Sequence, residues 1–298
     1  MSTGSTFSFD ALLPAEMAAK AELSGVRKAT LDLPSSFTLA VLAGAFIALG
    51  AVFATTVVAG GSGALPYGVL RLLAGTVFSL GLILVLVAGA ELFTGNNLIV
   101  MAWASRRVST ALLLRNWLVV YTGNFVGSIG TALLVYLGGH HTFGNGAVGA
   151  AALATANAKS GLGFVQAVAL GTLCNALVCL AVWLTLSARS VADKVLAIVP
   201  PIAAFVAAGF EHSVANMYFI PSGLFIKAGA NGAFWLSIGK TAADYPNLTW
   251  SNFLLHNLVP VTIGNILGGA VLVGIVYWFV YLRGRRAESG ETGGTVRR

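Results

Sequence analysis

Three stretches of this chain, residues 116–158, 160–188 and 245–282, contain no Asp, Glu, Lys or Arg. Segments of that length cross ~30 Å of hydrocarbon as helices, because a helix satisfies its own backbone groups where no water is present. Windows of about twenty residues place six spans near 36–60, 68–92, 113–138, 162–187, 194–212 and 252–282. The chain is 9% charged, against about a quarter for a soluble domain, and its mean hydropathy is +0.86. The expected fold class is an all-α membrane protein with six transmembrane helices.

Basic residues set the orientation, since Lys and Arg are retained on the cytoplasmic side during insertion. With six spans both ends share a side. Thirteen of the 17 Lys and Arg residues fall on it: Lys20, Arg27 and Lys28, then Arg106, Arg107 and Arg115, then Arg189 and Lys194, then Arg283, Arg285, Arg286, Arg297 and Arg298. Arg71, Lys159, Lys227 and Lys240 lie opposite. Both termini are therefore expected in the cytoplasm. The net charge of +7 reads as topology rather than nucleic-acid binding. The first thirty residues lack the pattern of a cleaved signal peptide. Expected boundaries are a cytoplasmic segment at 1–33 with an amphipathic helix carrying Leu13, Met17 and Ala21 on one stripe, a transmembrane domain at 34–282, and a basic cytoplasmic tail at 283–298.

The second half of the chain repeats the first in three places. Phe37, Ala40, Val41 and Gly44 align with Phe164, Ala167, Val168 and Gly171; Ala88, Gly89, Glu91 and Asn96 with Ala208, Gly209, Glu211 and Asn216; Gly123, Asn124 and Gly127 with Gly264, Asn265 and Gly268. Three spans per copy is an odd number, so the copies, about 34–140 and 160–282, are expected to be inverted. In each copy the second span meets a polar interruption, Glu91-Leu92-Phe93-Thr94-Gly95-Asn96-Asn97 and Glu211-His212-Ser213-Val214-Ala215-Asn216. Unpaired backbone in lipid costs several kcal/mol per group, so breaks in helices 2 and 5 mark a water-filled or protein-lined path.

Ionisable residues at membrane depth are functional candidates. Glu211 and His212 are the deepest pair, and His212 is placed to exchange protons. Lys159 precedes span 4, and Asn175 lies within it. Asn124 and Asn265 sit in Gly-Asn-x-x-Gly contexts, where glycine lets helices approach and the amide bridges to a neighbour. Phe78, Leu82, Leu92, Phe93 and Phe205 are candidates for apolar rings that gate by excluding water. Cys174 and Cys179 read as packing residues, His256 as interfacial, and His140-His141 as a solvated pair lacking a third metal ligand. No phosphate-cradling loop, nucleophile elbow or metalloenzyme spacing occurs, and no cofactor is expected. The reading is a transporter rather than an enzyme. An aquaporin-type neutral-solute pore would carry paired Asn-Pro-Ala motifs, which are absent.

Ala90-Glu91-Leu92-Phe93-Thr94-Gly95, Gly209-Phe210-Glu211-His212-Ser213-Val214-Ala215-Asn216-Met217 and Val261-Thr262-Ile263-Gly264-Asn265-Ile266-Leu267-Gly268-Gly269 resemble signatures of the formate/nitrite transporter family. Phe9-Asp10-Ala11-Leu12-Leu13-Pro14, Gly25-Val26-Arg27-Lys28-Ala29-Thr30 and Ile220-Pro221-Ser222-Gly223 are similar to its formate channel branch. The resemblance implies an aquaporin-like fold in a homopentamer of the bacterial inner membrane, each protomer with its own pore for formate and a lipid-plugged central hole. It implies that Thr94 lies on the loop breaking span 2, that His212 lies at the pore centre, and that Lys159, Asn175 and Glu211 form a polarising cluster beside it. It implies a cytoplasmic constriction of Leu82, Leu92 and Phe93 and an outer one of Phe78, Val178 and Phe205. Gly95-Asn96 after Thr94 is similar to nitrite-type members, so nitrite and hydrosulfide stand beside formate as substrates.

Overall fold

A computed structural model describes residues 10–61 and 63–284; Phe9, the rest of the first nine residues and the tail from 285 onward, including Arg285, Arg286, Arg297 and Arg298, lie outside the described residues. The described chain is helical throughout its main elements. Helix α1 (Pro14–Thr30) lies against the body and α2 (Leu33–Val58) follows directly. Asp32 caps α2, its Oδ1 accepting the Ser35 N–H at 2.9 Å. α3 (Tyr67–Ile83) is prolonged by a π turn, Leu84–Gly89; α4 (Phe93–Asn96) and α5 (Val100–Ala104) are short; α6 (Thr110–Leu137) is long and begins at the Ser109 cap. α7 (Ala147–Ser160), α8 (Phe164–Ser187), α9 (Val191–Ala207), α10 (Ser213–Gly229) and α11 (Gly232–Ile238) lead to a last long rod. That rod contains α12 (Val259–Ile266) and α13 (Val276–Tyr281) between wider turns.

Among the described residues five helices are long and apolar enough to cross a membrane: Leu33–Val58, Tyr67–Gly89, Thr110–Leu137, Phe164–Ser187 and Asn252–Tyr281. They correspond to five of the six expected spans. The segment expected at 194–212 is instead α9, 17 residues long with Pro200 and Pro201 inside it. The helix continues through both prolines and ends ahead of Gly209, whose left-handed backbone (φ +75°) turns the chain out of helical geometry. The outward faces are apolar: Leu118, Leu134 and Leu137 on α6 stand about two-thirds exposed, as on a surface meeting lipid or another subunit.

Glycine sets the closest helix contacts. A Cβ on Gly44 would strike the Asn124 carbonyl, and one on Gly127 the Val41 carbonyl, so α2 and α6 touch backbone to backbone. α8 and α12 meet the same way, Gly264 against the Val168 carbonyl and Gly268 against that of Thr172. Small residues at such crossings let dispersion and hydrogen bonds hold helices together where lipid supplies no hydrophobic force. These contacts correct the register of the internal alignment. Val41 faces Gly127 as Thr172 faces Gly268, so α8 must slide four residues, about one helical turn, from the pairing of Val41 with Val168.

In α1 the buried stripe is Met17, Ala18, Ala21, Gly25 and Ala29, while Leu13 is 68% exposed. The stripe expected from Leu13 therefore starts one turn later.

Candidate functional site

Two points in the chain leave helical geometry inside the bundle. After the turn ending at Gly89 (φ +86°) residues 90–92 run extended before α4, and after Gly209 (φ +75°) residues 210–212 do the same before α10. Both glycines adopt left-handed backbone, which a residue with a Cβ enters only at a cost.

Extension strands backbone groups, and one asparagine collects them at each point. Asn124 Nδ2 donates to the carbonyls of Ala40 (2.7 Å) and Glu91 (2.9 Å), and its Oδ1 accepts the Phe93 N–H at 2.9 Å. Asn265 Nδ2 donates to the carbonyls of Gly171 and Glu211, each at 2.9 Å, and its Oδ1 accepts the Ser213 N–H at 2.9 Å. Both side chains are fully buried. An unpaired buried group costs about 1–3 kcal/mol, so each amide removes two such penalties in the extended segment and ties it to a carbonyl inside α2 or α8.

The carboxylates at these points are paired in matching fashion. Glu211 Oε1 accepts from Lys159 Nζ at 2.7 Å, and Glu211 Oε2 from Asn216 Nδ2 at 2.7 Å. Asn216 Nδ2 also meets Asn257 Oδ1 at 2.8 Å, and Asn257 Nδ2 donates to the Lys159 carbonyl at 2.8 Å. At the other point Glu91 Oε1 accepts from Lys28 Nζ at 2.7 Å, and Glu91 Oε2 from Asn96 Nδ2 at 2.7 Å. Asn96 Nδ2 meets Asn116 Oδ1 at 3.0 Å, and Asn116 Nδ2 donates to the Lys28 carbonyl at 3.0 Å. Lys28, Asn116 and Asn257 were not among the residues singled out in the sequence. Lys28 gives α1 a part in the interior, where the sequence analysis expected only an amphipathic helix of a cytoplasmic segment.

Asn175 is placed differently from the expectation. Its Nδ2 reaches Asn97 Oδ1 at 2.8 Å and the Asn265 carbonyl at 2.7 Å, with the Thr94 carbonyl at 3.3 Å. It holds the Thr94 loop, and Asn216 with Asn257 takes the place beside Lys159 and Glu211. A mid-helix asparagine cannot reach both.

His212 and Thr94 meet, Nε2 to Oγ1 at 3.1 Å, both buried. His212 also caps α10: its Nδ1 accepts the Ala215 N–H at 3.1 Å. An accepting Nδ1 leaves the ring proton on Nε2, so the imidazole presents a donor toward Thr94. Leu92 occupies the corresponding place before α4 and offers no side-chain cap.

A cavity of about 70 Å³ lies on one side of this pair, lined by Phe78, Phe205, Phe219, Lys159, Arg71 and His212 among others. Phe78 and Phe205 pack edge to face at 5.7 Å. A second cavity, about 40 Å³, is lined by Lys28, Leu82, Leu92, Asn96 and neighbours. α3 runs from the first to the second, from Arg71 through Phe78 to Leu82. Val178 is fully buried on α8 and lines neither cavity. The Phe93 ring packs edge-on against Tyr121 (4.9 Å) and Trp117 (6.1 Å) and also lines neither.

His140 and His141 are packed rather than solvated. His141 stacks on Tyr136 at 5.2 Å and meets the Phe234 edge at 5.2 Å, and burial holds both imidazoles below their ordinary pKa. His256 is exposed, and Cys174 and Cys179 are buried free thiols. Among the described residues no three His, Cys, Asp or Glu side chains gather as a metal set.

The family model described as formate/nitrite transporter matches residues 15–279. The chain is 49% identical over 275 residues to the formate channel FocA of Escherichia coli (strain K12), covering 92% of this chain and 96% of that one. It is 43% identical over 265 residues to the formate channel FocA of Haemophilus influenzae, covering 89% and 93%. Among solved structures it matches a pentameric formate channel with formate bound, with a TM-score of 0.80 and 47% identity over 84% of this chain and 98% of that chain.

Proposed function

The chain belongs to the formate/nitrite transporter family, and from that premise we propose that it passes formate across a bacterial cytoplasmic membrane, through a pore within each subunit of a homopentamer. The observation that carries this reading is the buried contact between Thr94 Oγ1 and His212 Nε2 at 3.1 Å, with a cavity on either side. In this reading six membrane-crossing elements form two inverted halves, about 34–140 and 160–282, in an aquaporin-like plan. α3 with α4 and α5 is the broken second element, and α9 with α10 the broken fifth. The matched bonds of Asn124 and Asn265 support the repeat. Residues 1–33 and 283–298 lie in the cytoplasm, on the side of the smaller cavity, as the distribution of Lys and Arg suggests.

Formate enters a cavity and meets an apolar neck, Phe78, Val178 and Phe205 outside or Leu82, Leu92 and Phe93 inside. A bare carboxylate in a low-dielectric interior carries an idealised cost of tens of kcal/mol. Three features offset it. Lys159, oriented by Glu211, turns the ammonium end of a paired dipole toward the cavity; the N-terminus of α10 adds its dipole; and the His212 Nε2–H and the Thr94 hydroxyl supply hydrogen bonds. Asn175 keeps the Thr94 loop in place for this.

Proton exchange at His212 lowers the cost further, because the anion crosses the neck as the neutral acid. A proton on Nδ1 as well as Nε2 ends the cap to Ala215, a loss of about 0.5–2 kcal/mol. That is small beside the cost of the bare ion. His212→Asn separates the steps, since an asparagine side chain can cap α10 and donate one hydrogen bond but exchanges no proton in this range. Formate flux into proteoliposomes should persist in His212→Asn with a flattened pH profile. An unchanged profile would remove the proton step. A panel of formate, nitrite and hydrosulfide fluxes tests the substrate, and nitrite or hydrosulfide outrunning formate would reassign it. Swelling in glycerol without anion flux would indicate a neutral-solute pore.

A further inference from the structure

The larger cavity carries a charge that none of these steps uses. Arg71, near the start of α3, lines it together with Lys159 and His212. Lys159 is neutralised by Glu211 at 2.7 Å. Arg71 forms no ion pair with any described carboxylate. Its Nη2 donates to the carbonyl of Val206, in the last turn of α9, and its Nε is buried without a hydrogen-bond partner. The guanidinium is thus tethered on one side, half-buried and electrically uncompensated. A planar fork of donors fits a carboxylate or another small oxyanion better than a point charge does.

The smaller cavity differs. Its lining cation is Lys28, which Glu91 pairs at 2.7 Å and Asn96 meets at 3.1 Å. No second cation lines it. The two mouths of the path are therefore unequal in net charge although their Lys–Glu–Asn clusters match.

We propose that Arg71 forms an anion-holding site in the larger cavity, which collects a small monovalent carboxylate ahead of the Phe78–Phe205 neck and so lowers the concentration at which that mouth fills. The site rests on the anion-transport reading above. Its charge is focused by low-dielectric walls, so it raises the local concentration of anion before any step at His212. The bond to Val206 fixes the guanidinium beside the second interruption rather than leaving it to wander into solvent.

The test is formate flux in cell-derived vesicles of the two opposite orientations, for wild type, Arg71→Gln and Arg71→Lys. In Arg71→Gln the half-saturating formate concentration should rise about tenfold, the low end for charge focusing in a cleft, when formate is offered on the large-cavity side, with the maximal rate from that side rising in proportion, because a passive pore keeps the ratio of the two tied between its directions. Both should stay unchanged from the other side. Arg71→Lys should recover most of the loss. Raising salt from about 0.01 M to about 0.15 M shortens the Debye length from about 30 Å to about 8 Å, and should weaken half-saturation on that side in wild type but not in Arg71→Gln. Equal changes from both sides, or a fall in maximal rate alone with assembled protein, would make Arg71 a positioning residue for α9 and overturn the site. Wild-type vesicles that move no formate would refute formate transport itself, whereas unchanged kinetics in Arg71→Gln with active wild type would refute only the Arg71 site.

Discussion

The two interruptions use the same scaffold for different work. Glu91 and Glu211 each hold a lysine and an asparagine, and Asn124 and Asn265 each tie the extended backbone to a neighbouring helix. Yet the residue after the glutamate is Leu92 in one and His212 in the other. The lysines also come from different places. Lys159 ends α7, inside the body, with its side chain 17% exposed; Lys28 comes from the peripheral α1 and is 32% exposed. The bonds that satisfy the irregular backbone are matched at the two interruptions, while the residue after the glutamate and the origin of the lysine differ.

Removing an asparagine clamp should break either region most severely. Asn124→Leu and Asn265→Leu each orphan two buried backbone groups of the extended segments at about 1–3 kcal/mol apiece and release a tie to α2 or α8. Both variants should lose folded protein in detergent, and a stable Asn265→Leu protein would show that the second interruption does not depend on its clamp. The carboxylates should separate the regions. Glu211→Gln leaves the buried Lys159 charge unpaired, a loss of about 3–5 kcal/mol, whereas Glu91→Gln should cost no more than about 1–2 kcal/mol, since water reaches Lys28 and screens it. Thermal unfolding of the two variants measures the difference, and equal losses would contradict the contrast in burial.

His212→Leu makes the second interruption resemble the first. Loss of the α10 cap should cost only about 1 kcal/mol, while formate flux should fall at least about tenfold because one of the central donors is gone. Flux measurements on folded protein distinguish these effects. At the periphery, Glu22→Gln removes the exposed pair with Arg107 at 2.9 Å and should change stability by less than about 1 kcal/mol.

The smallest effect is of pH on two caps at opposite faces. Backbone N–H groups, of Ser35 for Asp32 and Thr241 for Asp244, hold both carboxylates below their ordinary pKa of 3.8. A depressed carboxylate stabilises the fold above its unfolded pKa, and that contribution is lost as pH falls through the folded value. Acid below about pH 4 should therefore loosen both caps, seen as faster amide exchange at the starts of α2 and of the turn after Thr241.

Much of the site could be read from the sequence because charge in an apolar span stands out. Glu211 and His212 were visible for that reason, Lys159 as a lone charge between two uncharged stretches, and Asn124 and Asn265 through their flanking glycines. Lys28 was hidden among the other charges of a peripheral helix. A signal for the two further amides was present: Asn116 stands eight residues before Asn124, and Asn257 eight before Asn265. The one-turn slip between α2 and α8 has another cause. Small and apolar residues recur at helical spacing, so two such helices align nearly as well a turn apart, and only the carbonyls facing Gly127 and Gly268 fix the register.

The asparagine clamps also bear on how fast an ion can leave. Asn124 and Asn265 occupy the Phe93 and Ser213 N–H groups, the first amides of the helices that follow each interruption. Left free, those amides would grip an anion as a phosphate-binding loop does. A conducting site must hold its ion firmly enough to admit it and loosely enough to release it. With both N–H groups taken by asparagine oxygens, neither helix start offers its first amide to a passing ion, which favours release over tight capture.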